Sequence, residues 1–266
     1  MATDLTGLFD TYGRRARLYP ALLTLASPMA AIFAWAPALI EGHSIAGFIG
    51  TAASFGLIYA LASISRTAGK RAEKRLIKKW GGWPSTIMLR HCCADVPAAT
   101  KARYHHFLGQ SGSWSTPHVP EPEDSDPTAN DDAYTSAVQW LKEQRRGSEF
   151  RLVHIENAEY GFRRNMRGLK TSALLLCLLA FVGWWATFFW QLGRAPWWFS
   201  SGDLGHVLTT APPLAWAALV LSITAAVAWT ILVTDGWVRE AADQYAQALL
   251  ATCDTPVTAS VRASAP

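Results

Sequence analysis

The organisation of this chain follows from residues Phe150–Leu192, which read FRLVHIENAEYGFRRNMRGLKTSALLLCLLAFVGWWATFFWQL. The first half of this stretch is polar and charged, and the second half, from Thr171 onward, has no Asp, Glu, Lys or Arg. A helix of about twenty apolar residues crosses the ~30 Å hydrocarbon core of a bilayer. We therefore expect the first half in water or among lipid headgroups and the second half in lipid.

Three further windows share this length and lack of charge, namely Tyr19–Ile40, Ile45–Ile64 and Leu214–Thr234. A segment in lipid must satisfy its own backbone hydrogen bonds, so helices are favoured, and the windows lack the alternation of barrel strands. A cleaved signal peptide is the alternative for Tyr19–Ile40, but this run is longer than a signal-peptide core. The sequence predicts an all-α integral membrane protein with four transmembrane helices in two hairpins. A helical cytosolic insert is expected between the second and third helices.

The distribution of basic residues predicts the orientation. All of the 24 Lys and Arg residues except Arg194 lie before the first window, between the second and third, or after the fourth. Positively charged loops stay in the cytoplasm, so both termini and the insert are expected there, at a bacterial inner membrane. The net charge of +4 then reflects topology rather than affinity for nucleic acid. The four cysteines need no disulfide partner in that compartment.

Within this plan the chain divides into segments of distinct composition. The insert contains a glycine-rich stop at Gly81–Pro84, two short helices after it, and a helix over Asp131–Arg146 with Tyr134, Val138 and Leu141 on one face. The expected segments are a cytosolic amphipathic segment (1–18), a transmembrane hairpin (19–64), the insert (65–170) with a mobile linker (111–130), a second transmembrane hairpin (171–235) with an external loop (193–213), a cytosolic amphipathic helix (236–253) and a disordered tail (254–266). We expect the amphipathic helix to pack on the insert.

Two groups of basic residues flank the insert where it meets the membrane. Such juxtamembrane clusters attract anionic lipids by about 1 kcal/mol per residue. We expect phosphate or lipid-headgroup contact from Lys70, Arg71, Lys74, Arg75, Lys78, Lys79, Arg163, Arg164, Arg167 and Lys170. A nucleotide ligand is the alternative for the second group. Nucleic acid is disfavoured because no recognised binding motif accompanies the charges.

Small residues recur in the second window at a spacing that places them on shared helix faces. They are Ala46, Gly50, Ser54 and Gly56, and such faces permit close packing within a bundle or between protomers. Gly161 and Gly168 stand in the predicted third helix, where glycine is unfavourable. They are expected to allow close packing against a neighbouring helix or to form a hinge.

Catalytic and metal-binding patterns are weak. His91, Cys92, Cys93, His105 and His106 are the most suggestive cluster, but adjacent pairs do not match the spacing of zinc ligands. Phosphate-binding loops, dinucleotide fingerprints and nucleophile elbows are absent from the sequence. We expect no enzyme activity, no cofactor and no metal.

Three runs, GGWPSTIMLRH (81–91), TKARYHHFL (100–108) and YGFRRNMRGLK (160–170), resemble those of uncharacterised bacterial four-helix inner-membrane proteins. The resemblance covers the insert and the helix arrangement, and it implies no established activity. In plan, the chain is also similar to small membrane effectors of bacterial anti-phage systems.

The leading hypothesis is a self-associating inner-membrane protein whose insert senses a cytosolic protein or ligand and couples to the membrane helices, as a defence-type effector does. One alternative is an anchor or scaffold for a multiprotein complex. The other is an oligomeric channel or transporter. The spans lack ionisable residues, which disfavours a proton-coupled carrier.

Overall fold

The computed structural model describes residues 11–35, 44–111, 126–192, 205 and 211–255, and at 11, 35, 44–58, 191 and 192 it describes the backbone only. The described residues form helices and connecting turns without a strand, which confirms the predicted all-α class. The helices are α1 (Thr11–Gly13), a π-helical turn (Arg14–Leu18), α2 (Tyr19–Trp35), α3 (Ser44–Trp80), α4 (Pro84–Leu89), α5 (Ala98–Gln110), α6 (Asp131–Gln144), α7 (Arg151–Leu192), α8 (Pro213–Ile231), α9 (Asp235–Ala251) and a 3₁₀ turn (Thr252–Asp254).

The chain forms two compact units. Unit 1 comprises Met1–Glu73 and Gly161–Val238, and unit 2 comprises Lys74–Tyr160 and Arg239–Pro266. Each point at which the chain passes from one unit to the other lies inside a helix, α3, α7 or α9.

Three helical segments among the described residues are long and apolar enough to cross a membrane: Arg14–Ala34, Arg151–Trp190 and Pro213–Ile231. They correspond to three of the four predicted spans. The remaining predicted span, Ile45–Ile64, belongs to α3, where the side chains of residues 44–58 lie outside the described part. The side chains of the predicted helix-packing residues also lie outside the described part; these residues are Ala46, Gly50, Ser54 and Gly56.

Aromatic and small side chains hold the apolar helices of unit 1 together. Trp184 of α7 is 1% exposed, and its indole N–H donates to the Ala215 carbonyl of α8 at 2.8 Å. A second apolar cluster of unit 1 includes Met166, Leu169 and Trp229. Other large apolar side chains of the three helices are exposed, among them Leu22, Ile32, Leu175, Leu179, Val182, Trp190, Val220, Ile231 and Leu232.

A buried amide compensates for the proline near the start of α2. Pro20 has no N–H, so the carbonyl of Ala16, four residues earlier, loses its α-helical donor. The helix widens to a π turn over Arg14–Leu18, and Asn165 of α7 donates its side-chain N–H to the Ala16 carbonyl at 2.6 Å. Asn165 is fully buried, and its side-chain oxygen accepts a bond from Arg164 Nε at 3.4 Å. The backbone gap left by Pro20 is thus closed from another helix.

Two glycines bring α3 and α7 into close contact. A Cβ built on Gly168 of α7 would lie 2.4 Å from the backbone carbon of Ala68 in α3. A Cβ built on Gly69 would lie 1.7 Å from the side-chain oxygen of Asn165. A Cβ built on Gly161 would lie 3.0 Å from the Ala16 Cβ and 3.2 Å from the Tyr12 hydroxyl. Glycine at 168 is therefore required for backbone-to-backbone packing, one of the two roles expected from the sequence.

Unit 2 has its own apolar core. Tyr134, Leu141 and Leu108 are 0% exposed, and Leu249 and Leu250 of α9 pack in the same cluster. The C-terminal helix therefore packs on the insert, and the predicted buried face of α6 is confirmed. α3 ends as expected at Trp80. Gly81 and Gly82 adopt positive φ angles of 77° and 140°, and the Gly82 N–H bonds the Ile77 carbonyl at 3.1 Å, which closes the last turn.

Replacing Gly168 by Ala should destabilise unit 1, because the methyl group would meet the backbone of Ala68, which has little freedom to move. Overpacking costs about 1–3 kcal/mol. Thermal unfolding in detergent should show a lower midpoint for Gly168→Ala. Gly183→Ala is the matched control on the same helix, where an added Cβ meets nothing within 4 Å. Equal midpoints for the two variants would contradict the close contact.

Candidate functional site

The basic residues of α7 make specific contacts within unit 1. Arg164 forms an ion pair with Glu73 of α3 at 2.7 Å, and both side chains are 13% exposed. Arg167 donates to Asp235, the first residue of α9, at 2.7 Å, with side chains 28% and 27% exposed. Each pair joins two helices where the polar half of α7 gives way to its apolar half.

The other two basic residues of α7 bind backbone carbonyls. Arg163 donates to the Trp237 carbonyl at 3.0 Å, and its guanidinium lies 5.1 Å from the centre of the Trp237 ring. The Lys170 ammonium donates to the carbonyls of Thr230 and Val233 at 3.0 and 2.9 Å. These carbonyls lie at and just beyond the C-terminal end of α8, where the helix dipole favours a positive charge. We call Arg163, Arg164, Arg167, Lys170 and their partners the α7 clasp.

The basic residues of α3 are placed differently from those of the clasp. Successive members are one or three residues apart, so they share a broad helix face. All six are exposed: Lys70, Arg71, Lys74, Arg75, Lys78 and Lys79. A face of six exposed cations can bind phosphate groups.

The sequence thus grouped ten basic residues under one role, and the structure separates them into two sets. The six on α3 are open to solvent, whereas the four on α7 are partly buried with partners. Headgroup contact remains a prediction for both sets.

The residues that sequence reasoning missed are Glu73, Asp235 and Asn165. Glu73 is the lone acid among the basic residues of α3, and Asp235 directly follows the apolar Leu214–Thr234 window. These positions were the available signals, but nothing linked either acid to a particular arginine.

Three long cationic side chains are buried or nearly buried in unit 2. Lys101, 5% exposed, donates to the carbonyls of Arg90, His91 and Cys93 beyond the end of α4. Arg90 binds Asp131 through two bonds of 2.8 and 2.6 Å. These contacts hold the end of α4 and the loop that follows it, so Lys101 and Arg90 have a structural role.

Arg145 is the third buried cation, at 5% exposure. Its guanidinium lies 5.5 Å from the ring of Phe107 and 4.8 Å from that of Phe150, and it donates to the Thr252 hydroxyl at 3.2 Å. Burial lowers the pKa of Arg145 below its usual value. The group remains charged at neutral pH, because an arginine pKa starts far above 7.

Among the described histidine and cysteine residues of unit 2, His91 and His105 are in contact, with ring centroids 4.7 Å apart. His105 is buried, and a ring nitrogen lies 2.8 Å from the Leu89 carbonyl. Cys92 is exposed, whereas burial raises the pKa of Cys253 to about 12. No three His, Cys, Asp or Glu side chains come together as metal ligands anywhere in the described residues.

No known protein family, curated protein or solved structure matches the chain.

Proposed function

We propose that the chain is an integral protein of a bacterial inner membrane, with four spans, both termini in the cytoplasm, and unit 2 as a cytoplasmic binding module. The observation that supports this most is the apolar surface of unit 1. Leu179, Val182, Trp190 and Ile231 are 53–87% exposed on helices long enough to span a bilayer. Exposed apolar side chains of this extent promote aggregation in water, whereas they pack favourably against lipid chains. The fourth span rests on the sequence of Ile45–Ile64.

In this proposal the basic face of α3 contacts anionic lipid headgroups. The face follows a predicted span, and its six cations are exposed. The α7 clasp holds α7 against α3 and α9 at the same polar end of the spans. Its cations therefore bind mainly groups of the protein, and contact with lipid is secondary.

The proposed activity is non-enzymatic sensing. α7 contributes Val153 and Tyr160 to unit 2 and Arg164 and Arg167 to unit 1. A ligand that alters the packing of the first pair acts on the same helix that carries the clasp. We propose that the membrane helices respond by changing their self-association, as a defence-type effector would.

Labelling of cysteines tests the topology. Cys92 is exposed in unit 2, and Ser200→Cys would place a thiol in the predicted external loop. In cells with a permeable outer membrane, an impermeant maleimide should label the Ser200→Cys thiol at once, and Cys92 only after the inner membrane is opened. Labelling of Cys92 in sealed cells would place unit 2 outside and refute the proposal.

Binding of lipids tests the basic face. The triple variant Arg71→Gln, Lys74→Gln, Lys78→Gln should retain less phosphatidylglycerol than the wild type in native mass spectrometry. At about 1 kcal/mol per charge, affinity should fall on the order of a hundredfold. The matched control is Arg103→Gln, Arg146→Gln, Arg151→Gln, which removes three exposed charges outside the face. Equal losses in both triple variants would show that the basic face has no special role.

The clasp should govern both stability and self-association. Glu73→Gln leaves Arg164 without its carboxylate and should cost about 1–3 kcal/mol of unfolding free energy. Light scattering of the detergent complex should also show a changed oligomer mass. Glu143→Gln breaks the exposed Arg146 pair, whose side chains are 73% and 61% exposed, and should change stability by less than about 0.5 kcal/mol. A lower unfolding midpoint for Glu73→Gln with unchanged oligomer mass and unchanged membrane integrity would refute the coupling.

A further inference from the structure

Unit 2 contains a small cleft between the start of α4, one face of α6, the end of its part of α7, and α9. Its volume is about 100 Å³. An apolar cavity of about 150 Å³ holds one benzene molecule. Trp83, Gln139 and Lys142 are exposed residues of its lining, so the cleft opens to solvent on that side. Its size therefore suits part or all of one ring, with a substituent that projects outward.

Charge in the lining of this cleft has one sign. Lys142 is the sole charged residue among those that line it. None of the described residues forms an ion pair with Lys142, and the residues one turn away on α6 and beyond it are Val138, Gln139, Arg145 and Arg146. An uncompensated ammonium group at the rim of a mostly apolar cleft favours an anionic ligand group.

The rest of the lining is aromatic and weakly polar. Tyr160 and Tyr245 have parallel rings with centroids 6.3 Å apart, and Trp83 is 38% exposed. The hydroxyl groups of Thr86 and Thr135, 3.3 Å apart, add weakly polar atoms to the lining. Aromatic rings at a rim bind planar groups by stacking.

We propose that this cleft binds a small molecule in which a planar ring bears a carboxylate or phosphate group. The ring enters between Trp83 and the tyrosine pair, and the anionic group binds the Lys142 ammonium. That this molecule is the ligand sensed by the membrane protein rests on the proposed function, whereas binding itself does not.

Equilibrium dialysis of the full-length protein in detergent tests the proposal with three radiolabelled probes that share one ring: benzoate, phenyl phosphate and neutral benzyl alcohol. At least one of the two anions should bind with a Kd on the order of 1 mM or tighter, a reachable value for so small a ligand. Lys142→Gln should weaken that binding about fivefold, as expected for one solvent-screened ion pair, while Lys142→Arg keeps it within about twofold.

The detergent takes up the same amount of probe with every variant. A difference between variants therefore reports binding to the protein. Arg151→Gln removes an exposed cation of unit 2 outside both the cleft and the basic face, and it should leave binding unchanged. Circular dichroism confirms that each variant is folded. The proposal is overturned if neither anion binds more tightly than benzyl alcohol, or if Lys142→Gln and Arg151→Gln have equal effects. Neither result bears on the cysteine labelling that tests the topology, so the two proposals fail separately.

Discussion

The close approach of α3 and α7 is the constraint on which unit 1 depends. Gly168 removes the side chain that would separate the two backbones, and Gly69 makes room for Asn165. Asn165 in turn supplies the hydrogen-bond donor that Pro20 denies to Ala16. The contact between α3 and α7 therefore also supplies the hydrogen bond that is lost at the proline of α2. In a membrane, where apolar burial does not drive helix association, such small-residue packing and buried hydrogen bonds are the available sources of specificity.

Specific partners also determine the packing at the polar end of these helices, where cations lie next to the contact between α3 and α7. A guanidinium that is 13% exposed would be costly without a counter-ion, and Glu73 provides one across the helix pair. Lys170 meets backbone carbonyls at the end of α8, which have no further helical turn to bond them. The clasp thus orients α7 relative to α3, α8 and α9 within unit 1, beyond what apolar contact alone specifies.

Periodicity and length predicted the parts of the fold that depend on local sequence. The buried stripe of Tyr134, Val138 and Leu141 was predictable because the three residues share one face of one helix. The end of α3 was predictable because Gly81, as a glycine, can adopt a positive φ angle. The partners of Arg164 and Arg167 were not predictable, because they lie 91 and 68 residues away in sequence. The role of Asn165 required both a proline in another helix and the geometry of the contact. The cleft of unit 2 was missed for the same reason, since its lining comes from four separate helices and the turn before α4.

The basic residues show why charge counting alone assigns roles too uniformly. Lys74 and Arg164 contribute equally to a positive-inside count, yet one is exposed and the other is paired with an acid. A headgroup that binds Lys74 displaces water, whereas one that binds Arg164 must also replace Glu73, a partly buried partner at 2.7 Å. The second exchange returns little net electrostatic energy, because one ion pair is broken for each one formed. In the proposed arrangement, lipid attraction therefore belongs mainly to α3, and the charges of α7 serve chiefly to hold the helices of unit 1 together.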